Sequence, residues 1–373
     1  MKRSEEYQRR ILLVVTGMSP QIITETLYAL TQRKEDRFLP TEIHLISTSE
    51  GIEIARLELF QGQDPKFSAL QKEYELPNIL FDNNCLHILK DKNGQPLNDI
   101  RSESDNMAAA DQLNHLVQQL TQDEENSVLH VSIAGGRKTM GYYLGYSLSL
   151  WGRHQDRLSH VLVSEGFESN PLFWFPTKAS KIIYSRDDKP LDTKSAEVTL
   201  ADIPFVRLRE ELPKNALVNN YSFKEVVKQL QPIENKVLVF DYENKCVLIG
   251  DIEVNIETSL LDFYGWIARR KIEGKEGVVI PVDNDPNLVY AEEYLNEYIL
   301  IVGEFDLKDS RTERALKKGM DKGFFEPKKS KLLTELALKI GRKNLIDFNF
   351  SIQKINGTNY HQIDLPADKI SWK

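Results

Sequence analysis

The chain is poor in the residues that would staple or anchor it. Its 373 residues include two cysteines, Cys85 and Cys246, far apart and without metal-ligand spacing. That pattern argues against a disulfide framework or a zinc site and fits a reducing cytoplasm. No apolar run approaches the roughly 18 residues of a membrane helix. The apolar stretch nearest the start is only Ile11–Val15, and it follows Glu5 and Glu6, so a secretory signal is not expected. Internal repeats and low-complexity tracts are missing. The expectation is a cytoplasmic protein with no membrane partner.

What remains is an ordinary globular composition, 41% hydrophobic and 28% charged, with a length that suggests two domains. The net charge of −8 speaks against a general nucleic-acid coat. It is unevenly spread, however. Between residues 311 and 354 twelve bases face five acids, a local basic surplus on an acidic chain.

The first half alternates strand and helix signals. Strands read at Ile11–Thr16, Glu42–Thr48, Leu86–Leu89, Ser127–Ile133 and His160–Ser164 alternate with helices at Gln21–Thr31, Ile52–Phe60, Met107–Leu120 and Thr139–Trp151. This rhythm predicts an α/β fold with a doubly wound parallel sheet. Phe173–Pro176 and Lys181–Tyr184 read as a closing hairpin, and turns are read at 187–190 and 212–215. The first domain is placed at 1–220 and a second, smaller α+β domain at 221–373. In the latter, helices are read at Leu260–Arg270, Ala291–Val302, Arg311–Lys322 and Ser330–Ile340, with hairpins at 236–250 and across Asn356-Gly357. Helices closed by a small hairpin outline a winged helix-turn-helix.

Two loops carry the chemistry. Ile11-Leu-Leu-Val-Val-Thr-Gly-Met-Ser-Pro-Gln21 and Val128-Leu-His-Val-Ser-Ile-Ala-Gly-Gly-Arg-Lys-Thr-Met140 each lie between a strand and a helix. In an open parallel sheet such loops line the ligand crevice. Glycines there admit a phosphate, and helix N-termini attract negative charge. Gly17, Gly135 and Gly136 with Arg137 and Lys138 therefore point to an anion. Neither loop holds a paired carboxylate or His cluster suited to magnesium, manganese or zinc, so no metal or other cofactor is expected. Arg137 stands where a Walker A loop has glycine.

These motifs, with Asn98-Asp-Ile-Arg-Ser-Glu-Ser-Asp-Asn106 and Ala201-Asp-Ile-Pro-Phe-Val-Arg-Leu-Arg209, resemble those of the CRISPR-associated Rossmann fold (CARF) proteins. The match is to the ring-nuclease branch with a C-terminal winged helix. The resemblance implies a Rossmann-like homodimer that binds cyclic oligoadenylate, the second messenger of type III CRISPR complexes. It further implies cleavage without metal, to linear products ending in a 2′,3′-cyclic phosphate. The family's catalytic serine maps onto Ser19 and its lysine onto Lys138. Thr16, Gly17, Met18, Gln21, Gly135, Gly136, Arg137 and Thr139 are the corresponding ligand-binding positions.

The chemistry agrees with such a role. The substrate's own 2′-hydroxyl can serve as nucleophile if it is held in line and charge on the phosphate oxygens is stabilised. Four phosphates of a cyclic tetra-adenylate suit an isologous dimer that brings two copies of Arg137 and Lys138, and a six-membered ring accommodates the same two-fold axis. A bland role competes at each position: Ser19 as a helix cap, Gln21 facing solvent, and 101–106 as a lid or a helix start capped by Ser104 or Asp105. Arg153 and His160 show the spacing of some R-x-H ribonuclease motifs but lie between a helix and a sheet strand, where a structural role is expected. The alternative function is a cyclic oligoadenylate sensor without nuclease activity, regulating transcription through DNA bound by the basic C-terminal part.

Overall fold

The computed structural model describes residues 2–212, 216, 220–282, 285–308 and 310–373. Of the turn read at 212–215, residues 213–215 lie outside them. The chain divides into two compact units, the first holding the residues up to Glu210 and Asn220–Glu225, the second chiefly Val226–Lys373.

The first unit is a Rossmann-like α/β fold. Its strands are β1 (Arg9–Val15), β2 (Glu42–Ser47), β3 (Leu86–Ile88), β4 (Ser127–Ser132), β5 (Arg157–Val163), a β6–β7 hairpin (Ile182–Tyr184 with Pro190–Asp192) and β8 (Val198–Asp202). The main sheet runs β3-β2-β1-β4-β5-β8. Its first five strands are parallel, with Ile11 opposite Glu42 on one side and Leu129 on the other. β8 closes the edge antiparallel to β5. The order reverses between β1 and β4, which makes the carboxyl ends of those two strands the topological switch point.

Helices α1 (Gln21–Gln32), α2 (Ser49–Phe60) and α3 (Lys66–Tyr74) pack Ile23, Leu27, Leu30, Ile52, Ala55, Leu59 and Phe67 onto Leu12, Val14, Ile43 and Leu45. Alternation turns Ile11, Leu13, Val15, Leu129 and Val131 to the opposite face, all buried. The paired helices α4 (Glu103–Leu120) and α5 (Lys138–Trp151) lie on that side.

Two local readings need correction. Phe173–Pro176 does not pair with 181–184. Phe173, Trp174 and Phe175 are buried instead, with Thr24 Oγ1 donating to the Trp174 carbonyl, and β6 pairs with β7 across the turn at Ser185–Lys189. The cap of α4 is Ser102, whose hydroxyl accepts from Asp105 N while Asp105 accepts from Ser102 N. Neither Ser104 nor Asp105 holds the cap position.

The main stretch of the second unit begins within α6 (Phe223–Leu230). It holds β9 (Leu238–Asp241), β10 (Cys246–Ile249), β11 (Ile252–Asn255), α7 (Thr258–Ile272), α8 (Leu288–Val302), α9 (Glu304–Leu307), α10 (Arg311–Leu316), α11 (Lys322–Ile340), α12 (Arg342–Phe348), β12 (Phe350–Ile355), β13 (Thr358–Ile363) and β14 (Ile370–Trp372). The core gathers Phe263, Tyr264, Trp266, Tyr294, Phe325 and Phe348 around α7. β12 and β13 form a hairpin whose two-residue turn, Asn356-Gly357, has positive φ at both positions.

A four-stranded sheet, β11-β10-β9-β14, adds to the helices and hairpin that the sequence outlined. The helix read at 311–322 stops at Leu316, because Gly319 takes φ +106°. The next helix starts at Lys322, capped by Asp321, and runs through Pro327 rather than beginning at Ser330. Part of the basic surplus is spent internally here. Lys328 donates to the Ser259 carbonyl and Lys331 pairs with Glu257.

Candidate functional site

Loop 1 (16–20) leaves β1 and loop 2 (133–137) leaves β4, side by side at the switch point. Thr16 is fully buried. Its hydroxyl donates to the Ser19 carbonyl at 3.0 Å, and its own carbonyl accepts from Ser47 Oγ at 2.6 Å. Thr16 thus shapes the loop from within, and its hydroxyl is not presented to the crevice. Gly17 is half-buried, whereas Met18 and Ser19 are exposed.

Pro20, not Ser19, holds the N-cap position of α1, and no side chain caps that helix. Ser19 Oγ has no hydrogen-bond partner among the described residues. Ile23 N bonds the Pro20 carbonyl at 3.1 Å, whereas the Gln21 and Ile22 amides have no partner among the described residues and are left for another acceptor. Two residues on, Gln21 is half-buried and its Oε1 is shielded without a partner among the described residues.

Loop 2 is built the same way. Ile133 N bonds the Ser159 carbonyl at the end of the strand, and Gly136 takes φ +78°, a conformation that suits glycine. Arg137 is the N-cap of α5 and offers no side-chain cap; Lys138 and Thr139 open the helix, all three exposed. Lys138 Nζ has no hydrogen-bond or ion-pair partner among the described residues. One turn further on, Tyr142 is exposed as well.

The glycines do more than admit a ligand. A Cβ on Gly17 would lie 3.4 Å from the Gly136 Cα, and one on Gly135 would lie 2.9 Å from the Val15 carbonyl oxygen. The two loops touch backbone to backbone. Gly51, at the start of α2, is a third member: a Cβ there would meet the Gly17 carbonyl oxygen at 2.7 Å. Only its place after a strand, in Ser49-Glu-Gly51, hints at this.

Arg137 and Lys138 differ in their surroundings. Arg137 donates from Nε and Nη2 to Asp99, at 2.8 and 2.5 Å, whereas Lys138 is unengaged. Asp99 comes from the segment between β3 and α4. The sequence marked that segment without singling out Asp99. Within α1, Glu25 is buried, and burial together with nearby Glu168 pushes its carboxyl up to about 7. Among the described residues no group of three or more His, Cys, Asp or Glu is arranged to hold a metal ion. Arg153 lies away from the loops, locked onto Asp156, Ser127 and the Asp123 carbonyl.

A family model described as CRISPR-associated protein NE0113 matches residues 19–236, more than half of the chain. The chain belongs to this family. The NE0113 match begins at Ser19 and takes in loop 2 and the closing strand of the sheet. No curated protein matches the sequence. Among solved structures, Enterococcus italicus Csm6 bound to cyclic hexa-2′-fluoro-hexa-dAMP is similar at 13% identity and a TM-score of 0.28, over 83% of this chain. The chain spans about half of that protein, 53%. No helix among the described residues of this NE0113-family chain is long and apolar enough to cross a membrane.

Proposed function

We propose that this NE0113-family protein is a ring nuclease: it binds cyclic tetra-adenylate on loops 1 and 2 of the first unit and cleaves it to di-adenylate ending in a 2′,3′-cyclic phosphate. The observation that carries this reading is Lys138, an exposed cation without a partner among the described residues, at the start of an uncapped helix. A second uncapped helix start, with the free hydroxyl of Ser19, adjoins it. The motif resemblance supplies the ligand class, and membership of a CRISPR-associated family agrees with it.

In this reading the ring's 2′-hydroxyl attacks the adjacent phosphorus. The bond from phosphorus to the 5′-oxygen breaks, the 2′-proton leaves to solvent, and the 5′-oxygen takes up a proton. Lys138 stabilises the charge that grows on the phosphate oxygens, while Ser19 Oγ and the open amides of α1 and α5 orient the phosphate. No side chain on these loops is placed as an evident general base, so turnover is slow. Two copies of the chain would meet a four-phosphate ring across a two-fold axis.

The test is product analysis with rings of three, four and six adenylates in EDTA. The expected result is conversion of the four-membered ring to di-adenylate cyclic phosphate. Intact rings after prolonged incubation would overturn the nuclease reading and leave a sensor.

A further inference from the structure

Arg137 belongs to the cationic pair that the sequence assigns to phosphate, yet one edge of its guanidinium is already taken. Nε meets Asp99 Oδ1 at 2.8 Å and Nη2 meets Oδ2 at 2.5 Å. This two-point contact is the one a guanidinium makes with a phosphate. The same carboxylate accepts from Arg101 Nε at 3.0 Å and from Ile100 N at 2.8 Å.

The segment that delivers Asp99 is fastened to the start of α2. Ser49 N donates to the Leu97 carbonyl at 2.8 Å, and Ser49 Oγ donates to Asn98 Oδ1 at 2.7 Å. Asp99 is thus brought across the sheet edge to the residue next to Lys138. The contact is also open to solvent, with 52% of the Arg137 side chain and 27% of Asp99 exposed. Water reaches both partners and weakens even a two-point pair, so an anion that bonds the same guanidinium edge competes with the carboxylate for it. Asp99 stays charged throughout the neutral range, because the Arg137 and Arg101 guanidiniums hold its carboxyl well below the usual carboxylate range.

We infer that Asp99 is the resident counter-anion of this site: it holds Arg137 while no ligand is bound and yields that edge to an incoming phosphate. The inference rests on the proposed ring-binding role only for the identity of the ligand. Competition by Asp99 lowers the affinity of the free protein for any phosphate that uses Arg137. Removing the carboxylate therefore tightens binding and leaves both Arg137 and Arg101 without that counter-charge.

The experiment titrates wild type, Asp99→Asn, Arg137→Ala and the double variant with a labelled 2′-O-methyl cyclic tetra-adenylate at two salt concentrations. Thermal midpoints check folding, and Asp99→Ala serves as a second variant. Asp99→Asn is expected to bind about three- to fivefold tighter with a steeper salt dependence, and the gain is expected to vanish when Arg137 is alanine. Equal or weaker binding by both Asp99 variants overturns the inference. If wild type retains no ring, the ring-binding reading fails; the same comparison with pyrophosphate then decides the role of Asp99. A tighter Asp99→Asn supports it, and no difference, or no binding by any variant, overturns it.

Discussion

Gly135 and Ile22 meet so closely that a methyl group on the glycine would sit 2.3 Å from Ile22 Cδ1, with the Val15 carbonyl oxygen and Thr16 Cα also within 3.2 Å. Ile22 can turn away, but the backbone atoms cannot move without carrying loop 1 with them. Gly135→Ala should therefore separate the loops. The expected loss of stability is about 1–3 kcal/mol, read as a lower thermal midpoint. Ring cleavage per folded molecule should fall at least about tenfold, since small misplacements of a preorganised site are costly.

Lys138 presents the opposite case. It is exposed and has no partner among the described residues, so Lys138→Ala should leave stability within about 0.5 kcal/mol. Its single-turnover cleavage rate should nevertheless fall by about tenfold or more. An unchanged rate would remove Lys138 from the chemistry.

Glu25 makes stability depend on pH. Its folded pKa of about 7 lies above the ordinary value of 4.5, so folding is not penalised below about pH 4.5. As pH rises the unfolded chain ionises first, and stability declines until the folded carboxyl ionises near pH 7. Glu25→Gln removes this dependence. The variant should gain up to about 3 kcal/mol over wild type at pH 8 and match it at pH 4. Denaturant melts at the two pH values measure the difference, and parallel curves for both proteins would refute it.

Arg153 is a structural residue. It is 5% exposed, and its guanidinium satisfies Asp156 and Ser127 together with the Asp123 carbonyl, while Asp156 also accepts from Leu129 N. Arg153→Ala leaves a buried carboxylate uncompensated, so a loss of about 3–5 kcal/mol is expected. Chemical denaturation measures it. Cleavage by the fraction still folded should be unchanged, because Arg153 lies outside the loops.

The sheet and its two loops were legible because their signals are local. An apolar strand, a glycine turn and a helix start follow one another within a dozen residues at both Ile11–Gln21 and Val128–Met140. What escaped depends on distant partners. Asp99 finds Arg137 across 38 positions, and Gly51 is needed only because the Gly17 carbonyl passes beside it. Phe173–Phe175 is an apolar run with the look of a strand, yet all three rings are buried and the segment pairs with no strand among the described residues. In the second unit, Gly319 and the Asp321 cap outweighed the periodicity that ran through residues 311–322. β14 joins β9 from the far end of the chain, a pairing with no local sign.

The most direct measurement is a crystal structure of the protein with 2′-O-methyl cyclic tetra-adenylate. The expected result is a ring whose phosphates lie within hydrogen-bond reach of Lys138 Nζ and Ser19 Oγ, roughly 3 Å, beside the starts of α1 and α5. A ring bound elsewhere, with both side chains remote from every phosphorus atom, would contradict the proposed site.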